Sequence, residues 1–273
     1  MNNSQGMQHR VVRPAAVAGF FYPQDPKELR DAVRAYLAMV PAAHNPAVPK
    51  ALIAPHAGYI YSGLTAAIAY ASLLPRQASI TRVVLLGPAH RVYVKGLAMS
   101  SATHFSTPLG LIEIDQAAMA ALNKLPQVIT SDPAHQQEHS LEVHLPFLQC
   151  LLNKFTLVPL VVGDARPAEV AEVLELLWGG PETVIIISSD LSHYHEYHEA
   201  RRLDASTTRA IENLENGIIG PNQACGCRPV GGLLQVAQTR HLQVHTLDLR
   251  NSGDTAGTRD RVVGYGAYAF LED

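Results

Sequence analysis

Residues 51–63, ALIAPHAGYIYSG, join a short apolar run to a turn rich in proline and glycine. Pro55 ends the apolar run, and apolar residues recur at helical spacing only after Gly63, in LTAAIAYASLL. An apolar run, a turn signal and then a change of period predict a buried strand, a turn and a helix. We therefore expect His56 just past the carboxyl end of a strand, where open α/β sheets gather their ligand-binding groups.

The same pattern recurs along the chain without sequence repetition. Apolar runs at 82–86, 156–162 and 183–187 are each followed by a turn signal, and 262–270 has the composition of a last strand. Such near-continuous apolar runs are typical of strands covered on both faces by helices. The pattern predicts an α/β fold with a central, largely parallel or mixed sheet flanked by helices. No internal linker is evident, so we expect residues 13–273 to form a single domain after a flexible segment, 1–12.

Composition excludes several functional classes. The 273 residues carry a net charge of -3 and no cluster of lysine and arginine, which argues against binding to nucleic acid or to a membrane surface. No apolar run approaches the ~18 residues of a membrane span, and the first ten residues lack the apolar core of a signal peptide. Three cysteines are too few for a disulfide scaffold, so we expect a cytoplasmic protein.

Three of the predicted strands end in turns that carry histidine. His56 follows the first, His90 the second, and Asp190 and His193 follow the strand 183–187. One histidine at such a position is more often a structural group than a ligand. Three from separate strands at one sheet edge favour a shared site, since neutral imidazole is the commonest protein ligand for metals.

Cys225 is a further candidate ligand. It lies in ACGCRPVG, directly before the helical run 232–239 and close to Arg228. A thiol at a helix N-terminus beside an arginine is expected to have a lowered pKa, which would suit metal ligation or redox chemistry. The alternative is that Cys225 is a small buried residue, as most free cysteines are.

The segment 138–146, EHSLEVHLP, is dense in titratable groups. On a helix, Glu138 and Glu142 would share a face, and Pro146 predicts that this helix is kinked or short. The segment could be a solvated charged face. Its leucines instead indicate partial burial, and a buried carboxylate needs a partner such as a histidine.

Six blocks identify a family. APHAGYIYSG, LLGPAH, EHSLEVHLPFL, ISSDLSHY, ACGCRPVG and NSGDTAGTRDRVVGY, in this order, resemble the Memo family, whose microbial members are known as protein B of the AmmeMemoRadiSam system. The family's fold resembles class III extradiol dioxygenases. The resemblance implies that His56, His90 and Cys225 bind a metal and that His193 is the acid/base, oriented by Asp190. It implies a pocket lined by Tyr22, Tyr59, Glu142 and His144.

The resemblance also implies an iron site, with copper or zinc as alternatives, because a thiolate replaces the carboxylate of a 2-His-1-carboxylate centre. The expected function is redox or oxygenase chemistry on an unknown small molecule. AMMECR-type and radical-SAM proteins are the implied partners. Two alternatives stay open: a non-catalytic module that binds a peptide in the same cleft, and a hydrolase that uses Cys225 or a metal with His193 as base.

Overall fold

The computed structural model describes residues 10–41 and 48–272. Most of the segment expected to be flexible, residues 1–9, lies outside the described residues, whereas Val12 belongs to the first strand. The strands are β1 (Val12–Arg13), β2 (Ala51–Ala54), β3 (Arg82–Pro88), β4 (Leu97–Met99), β5 (His104–Thr107), β6 (Gly110–Ile114), β7 (Val128–Thr130), β8 (Thr156–Val162), β9 (Thr183–Ser188), β10 (His193–His195), β11 (Gln243–Asn251) and β12 (Val262–Leu271). The helices are α1 (Pro26–Ala38), α2 (Tyr59–Ala71), α3 (Gln116–Leu122), α4 (Asp132–Gln136), α5 (Leu145–Leu151), α6 (Pro167–Leu177), α7 (Tyr197–Glu212) and α8 (Cys227–Arg240).

These strands form one mixed sheet in the order β1-β5-β6-β8-β3-β9-β2-β12-β10, with β11 paired to β12 and β4 paired to β7 and β8. The centre is parallel, since β3 pairs in parallel with β8 and β9, and β9 with β2. β12 then pairs antiparallel with β2 and with β11. The structure confirms the predicted single-domain α/β fold with a mixed sheet flanked by helices.

The central strands are buried along nearly their whole length, as their apolar sequences require. Every residue of β2 and β9 is buried, and in β3 and β8 only the first residue is partly exposed. α6 packs on α8, which lies against β3 and β9, while α2 packs on α1, β2 and β12. None of the described helices has the length and apolar character needed to cross a membrane.

The helix after His56 begins earlier than its sequence predicts. α2 starts at Tyr59, so the residues expected to form a turn up to Gly63 are already helical. Two tertiary contacts hold this first turn: the Tyr59 backbone N–H donates to the Phe21 carbonyl (2.8 Å), and the Tyr36 hydroxyl donates to the Tyr59 carbonyl (2.8 Å). Distant partners therefore override the low helix propensity of the glycine-containing segment.

The segment 138–146 does not form one charged helix. Glu142–His144 is a single 3₁₀ turn, and α5 begins at Leu145 with Pro146 in its first turn, where a missing backbone N–H costs nothing. Glu138 and Glu142 consequently do not share a helical face, and they bind different partners.

Candidate metal centre

His56 stands just past the carboxyl end of β2, where Pro55 ends the strand. Its backbone N–H donates to Asp190 Oδ1 (2.8 Å), and its ring Nδ1 lies 2.6 Å from Ser188 Oγ. Because the Ser188 hydroxyl donates its one proton to the Ser140 carbonyl (2.6 Å), Oγ accepts the proton of His56 Nδ1. Burial first, and then the neighbouring histidines, hold the pKa of His56 well below its usual value. The neutral ring therefore has its free lone pair on Nε2, as a metal ligand requires.

His90 follows β3 and is held by a carboxylate. Its ring Nδ1 lies 2.9 Å from Glu138 Oε1, and its backbone N–H donates to Glu138 Oε2 (2.6 Å). Glu138 also accepts the backbone N–H groups of His139 and Ser140, both at 2.9 Å. Burial alone would raise the pKa of Glu138, but these hydrogen bonds, led by that of the His90 ring, lower it to about 2. The ionised carboxylate fixes the Nδ1–H tautomer of His90 and leaves Nε2 free.

His139 completes a group of three imidazoles. One ring nitrogen from each of His56, His90 and His139 lies within 4.8 Å of the other two. The His139 ring stacks on His90 with a centroid distance of 4.6 Å, and it lies 5.4 Å from His56 at nearly a right angle. Burial lowers the pKa of His139 to about 4, so this ring is also neutral near pH 7. It is the only such group in the described part of the chain, and the donor set fits a transition-metal ion.

His139 is not among the ligands that the sequence predicts. The segment 138–146 is dense in titratable groups, but it contains two histidines, His139 and His144, and their spacing does not indicate which of them faces the site. The adjacency of His139 to Glu138 was the available signal, because a carboxylate commonly orients a ligating histidine. This adjacency predicts a site only if Glu138 is known to contact His90, which lies far away in sequence.

Cys225 lies at the edge of this group. Its Sγ is 3.4 Å from His56 Nε2 and accepts the backbone N–H of Asp190 at 3.3 Å. The lowered pKa expected for this thiol is wrong: burial, and next the charge of Asp190, raise the pKa of Cys225. The reason is structural, because α8 begins only at Cys227 and the Arg228 guanidinium binds Asp164 (3.1 Å). A bound cation would favour the thiolate instead, since the thiolate is the ligating form.

Asp190 and His193, the predicted catalytic pair, both lie beside the three imidazoles. Asp190 Oδ2 is 3.8 Å from His56 Nε2, and burial raises the pKa of this carboxyl to about 6 despite the opposing effect of His193. His193 Nδ1 lies 2.8 Å from the carbonyl of Leu191. A carbonyl only accepts, so Nδ1 carries the proton and Nε2 is free to exchange one. His193 lines the cavity described below, whereas His195 does not.

Glu142, expected in the pocket lining, instead anchors the N-terminal segment to the core. It forms a buried ion pair with Arg13 and accepts the Tyr22 hydroxyl at 2.5 Å. It also accepts the backbone N–H groups of Ala16 (2.7 Å) and Val17 (3.0 Å). With these four partners, Glu142 and Tyr22 are fully engaged behind the cavity wall.

Tyr59 and His144 are likewise buried and do not line the cavity. The Tyr59 hydroxyl donates to the carbonyl of Val143 (2.8 Å), and His144 Nδ1 is hydrogen-bonded to the Tyr70 hydroxyl (2.7 Å). Burial lowers the pKa of His144 to about 3. Both side chains therefore belong to the packing layer between α2 and α5, in which Tyr59 and His144 contact the rings of Phe147 and Tyr70.

A cavity of about 750 Å³ opens over the imidazoles. Its volume falls in the range of small-molecule sites, roughly 300–1,000 Å³. It is lined by Phe21, His56, Ala57, Gly58, Tyr61, His90, Arg91, His139, Asp190, His193, Tyr194, Ser252, Ala256, Gly257, Thr258, Arg261, Val263 and Tyr265. The lining combines free imidazole nitrogens, a carboxyl, two arginines and several aromatic rings.

The whole chain has known relatives. Residues 13–269 match the family described as Memo-like protein. A MEMO1 family protein from Aquifex aeolicus is 36% identical over 273 residues, covering 95% of this chain and 99% of that protein. One from Archaeoglobus fulgidus is 37% identical over 274 residues, with the same coverage. A solved structure of an uncharacterized protein from Escherichia coli K12 covers 79% of this chain and 98% of that one, at 12% identity and a TM-score of 0.45. The six sequence blocks agree with the family match over residues 13–269 and with the two MEMO1 family proteins, and the chain belongs to the Memo-like family.

Proposed function

We propose that this protein binds one redox-active transition-metal ion, iron first with copper as the alternative, and oxidises a small organic molecule with it. The observation that carries the proposal is the group of His56, His90 and His139, whose ring nitrogens lie within 4.8 Å of one another at the floor of a cavity. Family membership is compatible with this site but names no reaction.

The donor set fits such an ion. Ser188 and Glu138 bind the Nδ1 atoms of His56 and His90, so both rings offer Nε2 as a ligand. Imidazole suits iron, copper and zinc, and the nearby thiol of Cys225 would add preference for the softer ions. When bound, the metal would supply Lewis acidity and, for iron or copper, one-electron chemistry.

The surrounding residues supply proton transfer and positioning. His193 Nε2 is free while Nδ1–H is bound to a carbonyl, so this ring can give or take a proton at the cavity without reorienting. Asp190 holds the His56 backbone in place, and with a pKa of about 6 it is a second proton carrier near neutral pH. Phe21 lines the cavity and packs on His139 with a ring-centroid distance of 4.8 Å, so it adds an apolar surface beside this imidazole.

Elemental analysis after anaerobic, tag-free purification tests the metal site. We expect about one iron or copper ion per wild-type chain and its loss in His56→Ala, His90→Ala and His139→Ala. Cys225→Ala measures whether the thiol is a ligand or only a neighbour.

Two variants serve as controls for that experiment. His193→Ala should keep the metal, because its role is proton transfer, and His245→Ala removes an exposed histidine of β11 far from the site. Wild-type protein that stays empty, and that binds neither ion on reconstitution, would contradict the proposal.

The two alternatives are less well supported. Burial raises the pKa of Cys225, so its thiol is a poor nucleophile for a hydrolase unless a cation is present. A peptide-binding module would need no metal, and titration of metal-free protein with peptides separates it from the metal-dependent proposal.

A further inference from the structure

The charge that faces the cavity is positive. Its lining contains two arginines, Arg91 and Arg261, and one carboxyl, Asp190. Both arginines are exposed, whereas Asp190 is buried and its Oδ1 accepts the His56 backbone N–H at 2.8 Å. A solute that enters the cavity therefore meets two guanidinium groups before it meets the carboxyl.

Neither of these two arginines has a carboxylate partner in the described part of the chain that would occupy its donors, which is also true of other arginines such as Arg209. Seven other arginines form ion pairs with carboxylates: Arg13, Arg82, Arg166, Arg202, Arg228, Arg240 and Arg250. Among the described residues, Arg91 and Arg261 have no such pair. The carboxylate beside Arg261 in sequence, Asp260, accepts a hydrogen bond from the Thr258 hydroxyl. Their donors are thus available, and the planar guanidinium fork matches carboxylate and phosphate groups.

Aromatic rings stand beside these cations. Tyr194 is 64% exposed, and its ring centroid lies 5.3 Å from the Arg261 guanidinium carbon. Its backbone has a φ of +63°, in the left-handed region that residues with a side chain rarely adopt. Phe21 and Tyr61 add two more rings to the same lining. The cavity therefore offers apolar, planar walls next to unpaired positive charge.

We infer that the cavity takes a small organic anion, in which a carboxylate or phosphate group is attached to a planar apolar body. Arg91 and Arg261 bind the anionic group, and Tyr194, Tyr61 and Phe21 contact the body above the three imidazoles. This inference rests on the proposed function, of which it names the substrate class.

Calorimetric titration of the metal-loaded protein tests the inference with defined probes. Benzoate and phenyl phosphate carry the two anionic groups, benzamide is the neutral control, and acetate lacks the ring. We expect one of the anions to bind at least about tenfold more tightly than benzamide and acetate, because a charge-assisted hydrogen bond contributes that much. Comparison of benzoate with phenyl phosphate identifies which anionic group the site prefers.

Arginine variants show whether the proposed residues are responsible. Arg91→Gln and Arg261→Gln should each weaken binding of the preferred anion by about tenfold, while benzamide binding stays unchanged. Arg209→Gln is the matched control, because Arg209 is an exposed arginine of α7 without an ion pair among the described residues, and the change in net charge is the same. Its affinity for the anion should equal that of the wild type.

Three results would overturn the inference: no binding of either anion, affinities for benzoate and phenyl phosphate that both only equal the affinity for benzamide, or anion binding that neither arginine variant weakens. Metal content is measured on every sample, and the titration is repeated on metal-free protein. Protein that binds metal but ignores the probe's charge disproves the inference and leaves the proposed function standing. If the protein cannot be loaded with metal but binds an anion through Arg91 and Arg261, the inference about the anion is supported and the proposed metal-dependent function is disproved.

Discussion

A single buried carboxylate, Glu138, orders the edge of the sheet where the imidazoles meet. It accepts the ring and backbone N–H of His90 together with the backbone N–H groups of His139 and Ser140. These donors come from the turn after β3 and from the segment before α5, so the carboxylate ties two distant parts of the chain together. Its lowered pKa, about 2, reflects the number of donors that it satisfies.

Glu138→Gln tests this role at the residue scale. A glutamine keeps the shape but turns one acceptor into a donor, which must then face an N–H group of His90 or its neighbours. We expect metal affinity, measured by competition with a chelator, to fall about 10- to 100-fold, the usual effect of losing a carboxylate that orients a ligating histidine.

Glu199→Gln, which removes an exposed carboxylate paired with Arg202, is the control for Glu138→Gln and should leave metal affinity unchanged. Thermal unfolding of both variants shows whether the fold is retained. Unaltered affinity in a folded Glu138→Gln protein would mean that Glu138 does not orient His90 toward the metal.

At the scale of elements, the packing of α6 on α8 depends on one glycine. A Cβ built at Gly232 would lie 2.3 Å from Val170 Cγ1 and 2.4 Å from Val170 Cβ. At Gly231, one residue earlier in the same helix, the nearest atom is Pro167 Cγ at 3.2 Å. The two helices can therefore approach closely only because position 232 has no side chain.

Alanine substitution at these adjacent positions separates packing from helix propensity. Both changes gain up to about 1 kcal/mol of propensity. We expect Gly232→Ala nevertheless to lower the free energy of unfolding, measured in urea, by about 1–3 kcal/mol, because overpacking forces α6 and α8 apart. Gly231→Ala should be clearly more stable than Gly232→Ala, and equal stability of the two would contradict the packing argument.

At the scale of the whole molecule, buried histidines make the fold sensitive to acid. Burial lowers the pKa of His135 to about 4 and that of His144 to about 3, from an ordinary value of 6.5. The unfolded chain therefore binds more protons than the native protein below pH 6.5, and stability falls as pH drops from 6.5 toward these values. Asp190, whose pKa is raised to about 6, works in the opposite direction between pH 6 and 3.8.

His135→Gln isolates one of these contributions. His135 lies outside the group of His56, His90 and His139, and its Nε2–H donates to the Ala98 carbonyl at 2.9 Å, a bond that a neutral amide can replace. Between pH 7 and 5 we expect the variant to lose about 2 kcal/mol less unfolding free energy than the wild type, the amount given by pKa values of 4 and 6.5. His245→Gln, at an exposed position, should lose as much unfolding free energy between pH 7 and 5 as the wild type. Equal losses in the wild type and both variants would disprove that His135 contributes to the acid sensitivity.

The sequence alone predicted the central strands of the sheet, two of the three imidazoles and the family. Short apolar runs bounded by turn residues are typical of buried strands. Because the carboxyl ends of parallel strands meet at one edge, His56 and His90 were expected to approach each other. Tertiary structure decided the rest. It placed His139 rather than His144 in the group, engaged Glu142 with Arg13, raised the pKa of Cys225 through burial, and started α2 at Tyr59. In each case the deciding partner lies in a distant part of the chain, and local spacing contains no information about contacts at that separation.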